Sequence, residues 1–164
     1  MQQRPVVHGY AVVMQPGDGP SYWQPAPANG HADPKLFPAN TGFDGLSMGF
    51  QTVASKGRIR EHSHDRQIEL QICIRGRGQV MVDGVAHPLV PGTACFLGYE
   101  VKHEIINESD DELVMLWVIS PPGLEDFFRV IGRPRAAGEP DPPPLQRPAD
   151  VLAVERQMGM KNTQ

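Results

Sequence analysis

The chain predicts an all-β fold, a closed sandwich or barrel. Three observations carry this. Short apolar runs of strand character recur between residues 41 and 119, glycine- and proline-bearing turn signals separate them, and helical spacing shows only beyond Ser120. Regular short strands with such punctuation close into sandwiches or barrels.

Residues 1–40 are rich in proline, glycine and asparagine, and GPSYWQPAPANGHADPKLFPAN holds too many prolines to sustain a helix. We expect an extended arm with turns, packed on the barrel through Tyr22 and Trp23. Residues 41–119 hold the strands LSMGFQTVA, IELQICI, QVMV, VAHPLV, TACFLG, KHEIIN and ELVMLWVI. Arg75-Gly76-Arg77-Gly78 reads as a hairpin between IELQICI and QVMV, Asp83-Gly84 as a tight turn, and Pro91-Gly92 as the next turn. In residues 120–164, Pro121-Pro122-Gly123 breaks the sheet and LEDFFRVIG follows with apolar residues near helical spacing. Gly132 and Pro134 stop that helix, and a proline-rich connector runs to Pro148. ADVLAVERQMG is a final helix, with Asp150 placed to cap it and Gly159 to end it.

The chemistry concentrates in two stretches. GRIREHSHDRQIELQICIRG places His62 and His64 two residues apart, then Glu69; GTACFLGYEVKHEIIN supplies His103. Side chains at i and i+2 of a strand share a face, so His62 and His64 can grip one ion from a single extended segment. Glu69 breaks that parity, which places a turn at Asp65-Arg66-Gln67. Three imidazoles and a carboxylate suit a transition metal better than calcium or magnesium, which take oxygen shells. His8, His31 and His87 stand apart from this set and read as surface or satisfied core residues. Glu100 reads as a solvated turn residue, and Cys73 and Cys95 as buried free thiols in apolar runs.

The spacing Gly57-x4-His62-x-His64-x4-Glu69-x6-Gly76 resembles the first cupin motif, and Gly92-x5-Gly98-x-Glu100-x2-His103-x3-Asn107 the second. Gly98 and Glu100 stand where the second motif normally has proline and glycine. The resemblance implies a cupin jelly-roll β-barrel with an extended N-terminal arm and short C-terminal helices. It also implies one divalent transition-metal ion (iron, nickel, manganese, copper or zinc) held by His62, His64, Glu69 and His103. The order from Gly123 through Glu125, Phe127 and Phe128 to Gly132 and Pro134 is similar to single-domain bacterial quercetinase-like cupins. In the dioxygenases the chain resembles, the counterpart of Glu69 takes the substrate's hydroxyl proton. Glu69 is thus the implied catalytic base toward an enolic or hydroxy-ketone substrate. Gln71 would share its inward face, and Arg60, two residues before His62, could orient an anion. Non-oxidative isomerase, lyase or cyclase chemistry, or a non-catalytic sensor, would use the same site.

Parity gives one more expectation. If Glu69 points inward, so do Gln71 and Cys73, and the apolar Leu70, Ile72 and Ile74 face outward. A homodimer would cover such a face. The chain of 164 residues has formal charge −4 and no basic run, which argues against a nucleic-acid partner. It shows neither a membrane span nor a secretory leader pattern, so we expect a cytoplasmic protein with a small-molecule partner.

Overall fold

The structure is a computed structural model, and it describes residues 9–162. The His8 expectation lies outside the described residues. In chain order the elements are β1 (Tyr22–Trp23), β2 (His31–Leu36), α1 (Pro38–Thr41), β3 (Ser47–Val53), β4 (Arg58–His64), β5 (Ile68–Arg75), β6 (Gly78–Val82), β7 (Val85–Leu89), β8 (Ala94–Leu97), β9 (His103–Ile106), β10 (Leu113–Ser120), α2 (Leu124–Ile131), β11 (Arg133–Pro134), α3 (Val151–Gln157) and β12 (Met160–Asn162). The strands form two antiparallel sheets, ordered β11-β1-β2-β3-β10-β5-β8 and β12-β4-β9-β6-β7. They close face to face as a jelly roll.

Alternation decides which side chains enter the barrel. Along β10, Leu113, Met115, Trp117 and Ile119 are buried, while Val114, Leu116 and Val118 face out. Along β5, Glu69, Gln71 and Cys73 point inward, as parity requires, and Leu70, Ile72 and Ile74 outward. Two apolar clusters fill the interior. Val53, Cys73, Val80, Leu89, Ile105, Leu113 and Met115 pack one end. Trp117 and Ile119 pack against Leu124, Phe127 and Phe128 of α2 and Met160 of β12 at the other. The inward polar groups of β4, β5 and β9 lie between the clusters. Cys73 is buried, Cys95 half-buried, and both are free thiols.

Three local expectations are corrected. Arg75–Gly78 is not a hairpin: β5 pairs with β10 and β8, while β6 pairs with β7 and β9 in the other sheet. The glycines there serve close approach across the sheet corner. A Cβ on Gly76 would stand 2.3 Å from the Glu112 carbonyl oxygen, and one on Gly78 2.5 Å from that of Ile106. Second, residues 31–36 of the arm form a strand that pairs with β3, extending the larger sheet. Third, Asp150 occupies the N-cap position of α3 but makes no side-chain capping bond. Gly159 does end α3, at φ 75° just past its last turn, and the chain continues into β12, which pairs with β4. Asp83-Gly84 does form the tight turn between β6 and β7, with φ of 46° and 82°. Trp23 is buried beneath the Arg135 guanidinium, 4.9 Å from the ring centre. The proline-rich connector returns alongside it, with Ala26 N–H donating to Leu145 C=O.

Candidate metal centre

β4 delivers His62 and His64, β5 delivers Glu69, and β9 delivers His103, which is paired in register with His62. The sharp turn after His64 is stabilised where Asp65 N–H donates to the Gly159 carbonyl and Glu100 N–H donates to that of His64. One ligating atom from each of the four residues falls within 4.8 Å of the others. His64, Glu69 and His103 are almost fully buried and His62 is half-buried.

The hydrogen bonds decide the tautomers. His103 Nδ1 lies 3.0 Å from the Val101 carbonyl oxygen, and His62 Nδ1 2.8 Å from that of Arg60. A carbonyl only accepts, so each Nδ1 carries the proton and each neutral ring has a bare Nε2. The Nε2 atoms of His103 and His64 lie 3.2 and 3.3 Å from Glu69 Oε2. None of these three atoms has a hydrogen-bond partner. Unpartnered polar atoms converging in a buried site are costly unless a cation or proton sits among them. The donor set, three imidazoles and a carboxylate, fits a transition-metal ion that would take that place.

Electrostatics agree. Burial, reinforced by the neighbouring His103 and His64 rings, pushes the His62 imidazole down to about 3. Burial opposes ionisation of Glu69, yet its contacts with His103 and His64 outweigh that and hold the carboxyl well below the usual carboxylate range. Burial also opposes charge on His103, and there Glu69 outweighs it and raises the imidazole above its ordinary value. The same Glu69 contact that would suit a metal therefore also favours a proton on His103 over an ordinary imidazole.

Residues 49–119 match the family model described as "Cupin domain". That span runs from β3 to β10 and contains every residue of the cluster. This span of the chain is a cupin domain.

Among curated relatives, this cupin is 29% identical over 86 residues to "Polyketide synthase CurC" of Streptomyces cyaneus, covering 52% of this chain and 56% of that protein. It is 31% identical over 80 residues to "L-ectoine synthase" of Teredinibacter turnerae, covering 48% of this chain and 58% of the relative. The chain thus spans little more than half the length of the curated relatives it matches. A Thermotoga maritima structure described as a predicted oxalate decarboxylase superposes with TM-score 0.58 at 18% identity, covering 67% of this chain and 99% of that one. That likeness shows the shared barrel.

The cupin barrel opens beside His62 and Glu69 into a cavity of about 70 Å³. Gln71 lies on its wall and donates from Nε2 to Glu69 Oε1 at 3.2 Å. The apolar side comes from Leu124, Phe127, Phe128 and Ile131 on α2. Arg60 is on the wall too, paired with Glu155 at 3.1 Å. Glu100 points away, exposed and bonded to Lys161. His31 is bonded to Asp33, and His87 is exposed. Sequence reasoning missed Glu155 and Arg147, which reach the cavity from the C-terminal segment. One signal was available. Val151 and Glu155 stand four residues apart in a helical stretch, so they share a face, and that face is buried.

Proposed function

We propose that this cupin is a metal-dependent enzyme acting on a small enolisable hydroxy-ketone, with His62, His64, Glu69 and His103 holding one divalent transition-metal ion. The observation that carries this is the convergence of two imidazole nitrogens and a carboxylate oxygen, all buried and without hydrogen-bond partners, beside a cavity. When bound, the metal supplies Lewis acidity that lowers the pKa of a hydroxyl coordinated to it. Glu69 then takes the hydroxyl proton as general base, its other oxygen steadied by Gln71. Gln71 Oε1 is buried with no donor, so it can accept a hydrogen bond from the substrate. The phenyl rings of α2 exclude water from the same space.

The reaction class we favour is dioxygenation of the resulting enolate. The resemblance of the two motifs and the tail to dioxygenase cupins supports it. The similarity to a protein named a polyketide synthase also supports an enolisable ketone, since polyketides are of that chemistry. The similarity to a protein named L-ectoine synthase favours a second, non-oxidative reading. In that reading Glu69 moves a proton and no oxygen is consumed.

Elemental analysis of untagged protein comes first. Near-stoichiometric iron, nickel, copper or manganese, with oxygen uptake on hydroxy-ketone addition, is the expected result. Deuterium exchange at the substrate's α-carbon under anaerobic conditions, without oxygen uptake, would establish the second reading instead. A protein that stays metal-free after reconstitution would end both.

We also propose that two copies pair through the outer face of the larger sheet. There Ile74 is 45% and Phe96 68% exposed, and apolar groups of that size in one patch mark association surfaces. Sedimentation equilibrium giving the monomer mass at all concentrations would refute this.

A further inference from the structure

Arg147 arrives from the proline-rich connector and lines the same cavity as His62 and Glu69. It donates from Nη2 to Oε1 of Glu155, the same oxygen that Arg60 engages at 3.1 Å. Glu155 is buried, so this is a carboxylate shared by two guanidiniums at a low-dielectric wall. Arg147 Nε is also buried and has no acceptor. A guanidinium carries five N–H donors in a planar fork that matches a carboxylate. Burial, and then the nearby Arg60 charge, lowers the pKa of Arg147, a cost that a second anion would relieve.

We infer that the Arg147 wall is a carboxylate-recognition site, so that this cupin selects hydroxy-ketones that also carry an anionic group. The inference rests on the proposed function. In it, the hydroxy-ketone end of the ligand meets the four-residue cluster and its carboxylate reaches Arg147. Arg60 belongs to this wall and precedes His62 by two residues of strand, about 7 Å of rise. The two ends of the ligand are therefore separated by a few bonds, the breadth of one small ring. The specificity element comes from the C-terminal segment, outside the 49–119 span of the family match.

The test uses matched probes on the metal-loaded 164-residue chain. Comenic acid and kojic acid share a 5-hydroxy-4-pyranone core, and carry a carboxylate and a hydroxymethyl group, respectively, at the same ring position. Calorimetry should show comenic acid binding at least about tenfold tighter, as expected for a charge-assisted pair. In Arg147→Met, with metal content unchanged, that preference should fall to about twofold or less. A merely structural Arg147 would lower the melting temperature and leave the ratio intact.

Equal binding of the two probes by the wild type would overturn the inference while leaving the hydroxy-ketone reading in place, and it requires no variant. So would an undiminished ratio in Arg147→Met. If neither pyranone binds, the hydroxy-ketone reading fails, and benzoate against benzamide decides the anion site separately. Benzoate binding that is lost in Arg147→Met sustains it, and no benzoate binding overturns it.

Discussion

His103 Nε2 lies 3.2 Å from Glu69 Oε2, and the two residues belong to opposite sheets of the barrel. The same short contact thus joins the two layers and marks where an ion would sit. A metal bound there would cross-link β9 to β5 and stabilise the folded chain by mass action. At metal concentrations about a hundredfold above Kd, we expect the melting temperature to rise by about 5–10 °C. His103→Ala should abolish both that shift and most of the bound metal. Calorimetric melts with and without metal check the first, and elemental analysis the second.

Glu69→Gln separates holding the metal from moving the proton. An amide binds metal weakly and accepts no proton, while the three imidazoles remain. Metal content should stay substantial and turnover should fall by about 10²–10⁴. Stopped-flow turnover at matched metal occupancy checks this, and an unchanged kcat would remove Glu69 as the base.

Metal binding should release a proton from His103 up to a higher pH than an ordinary imidazole would allow. The His103 pKa is raised by Glu69 in the metal-free site, so an incoming cation must displace its proton. His62, held near 3, and Glu69, held low, have none to give at neutral pH. The sign follows: apparent affinity climbs as pH rises toward the His103 pKa in the folded chain and flattens above it. Calorimetry at pH 6.5, the ordinary imidazole value, in two buffers of different ionisation enthalpy reads the release directly. No buffer dependence would contradict the assignment.

Most of the candidate cluster was legible because its geometry is local, while His103, from a distant strand, was legible only through the second motif. His62 and His64 share a face by strand parity, and Glu69, Gln71 and Cys73 follow the same rule one strand on. What stayed hidden depends on partners far along the chain. Gly76 and Gly78 look like a hairpin, yet they are small because the Glu112 and Ile106 carbonyls approach them. Residues 31–36 carry Pro34, which argues against an interior strand. The sheet accommodates it through a register shift between Pro34 and Leu36. Met160–Asn162 is too short to show any period. Arg147 and Glu155 reach the cavity only because the connector folds back past Pro25.

Gly49 shows the same dependence on distant neighbours. It pairs with Pro34 on one side and Trp117 on the other. A Cβ there would stand 2.5 Å from the Asp33 carbonyl oxygen and 2.6 Å from Trp117 Cζ2. The oxygen is backbone, and the indole is buried in the core under α2, so neither can yield cheaply. Gly49→Ala should cost about 1–3 kcal/mol. Gly98→Ala, whose nearest neighbour would be 3.9 Å away, should stay within about 0.5 kcal/mol. Urea denaturation of both variants checks the contrast, and equal midpoints would refute it.

Met160 ties the tail to the site. It pairs with His64 across β12 and β4, packs with Trp117 and Phe128, and borders the cavity. The strand that carries it is joined to β4 through only three residue pairs, so side-chain burial must hold it in place. Met160→Ala removes that anchor and should cost about 2–5 kcal/mol locally. Because β4 carries two of the four proposed ligands, a frayed β12 should also expose the site. Metal loss to excess chelator should accelerate in Met160→Ala while the ligands themselves are untouched. Stopped-flow chelation checks this. An unchanged rate with a lowered melting temperature would mean that β12 stabilises the barrel without guarding the metal, and the tail would then have no part in retaining the ion.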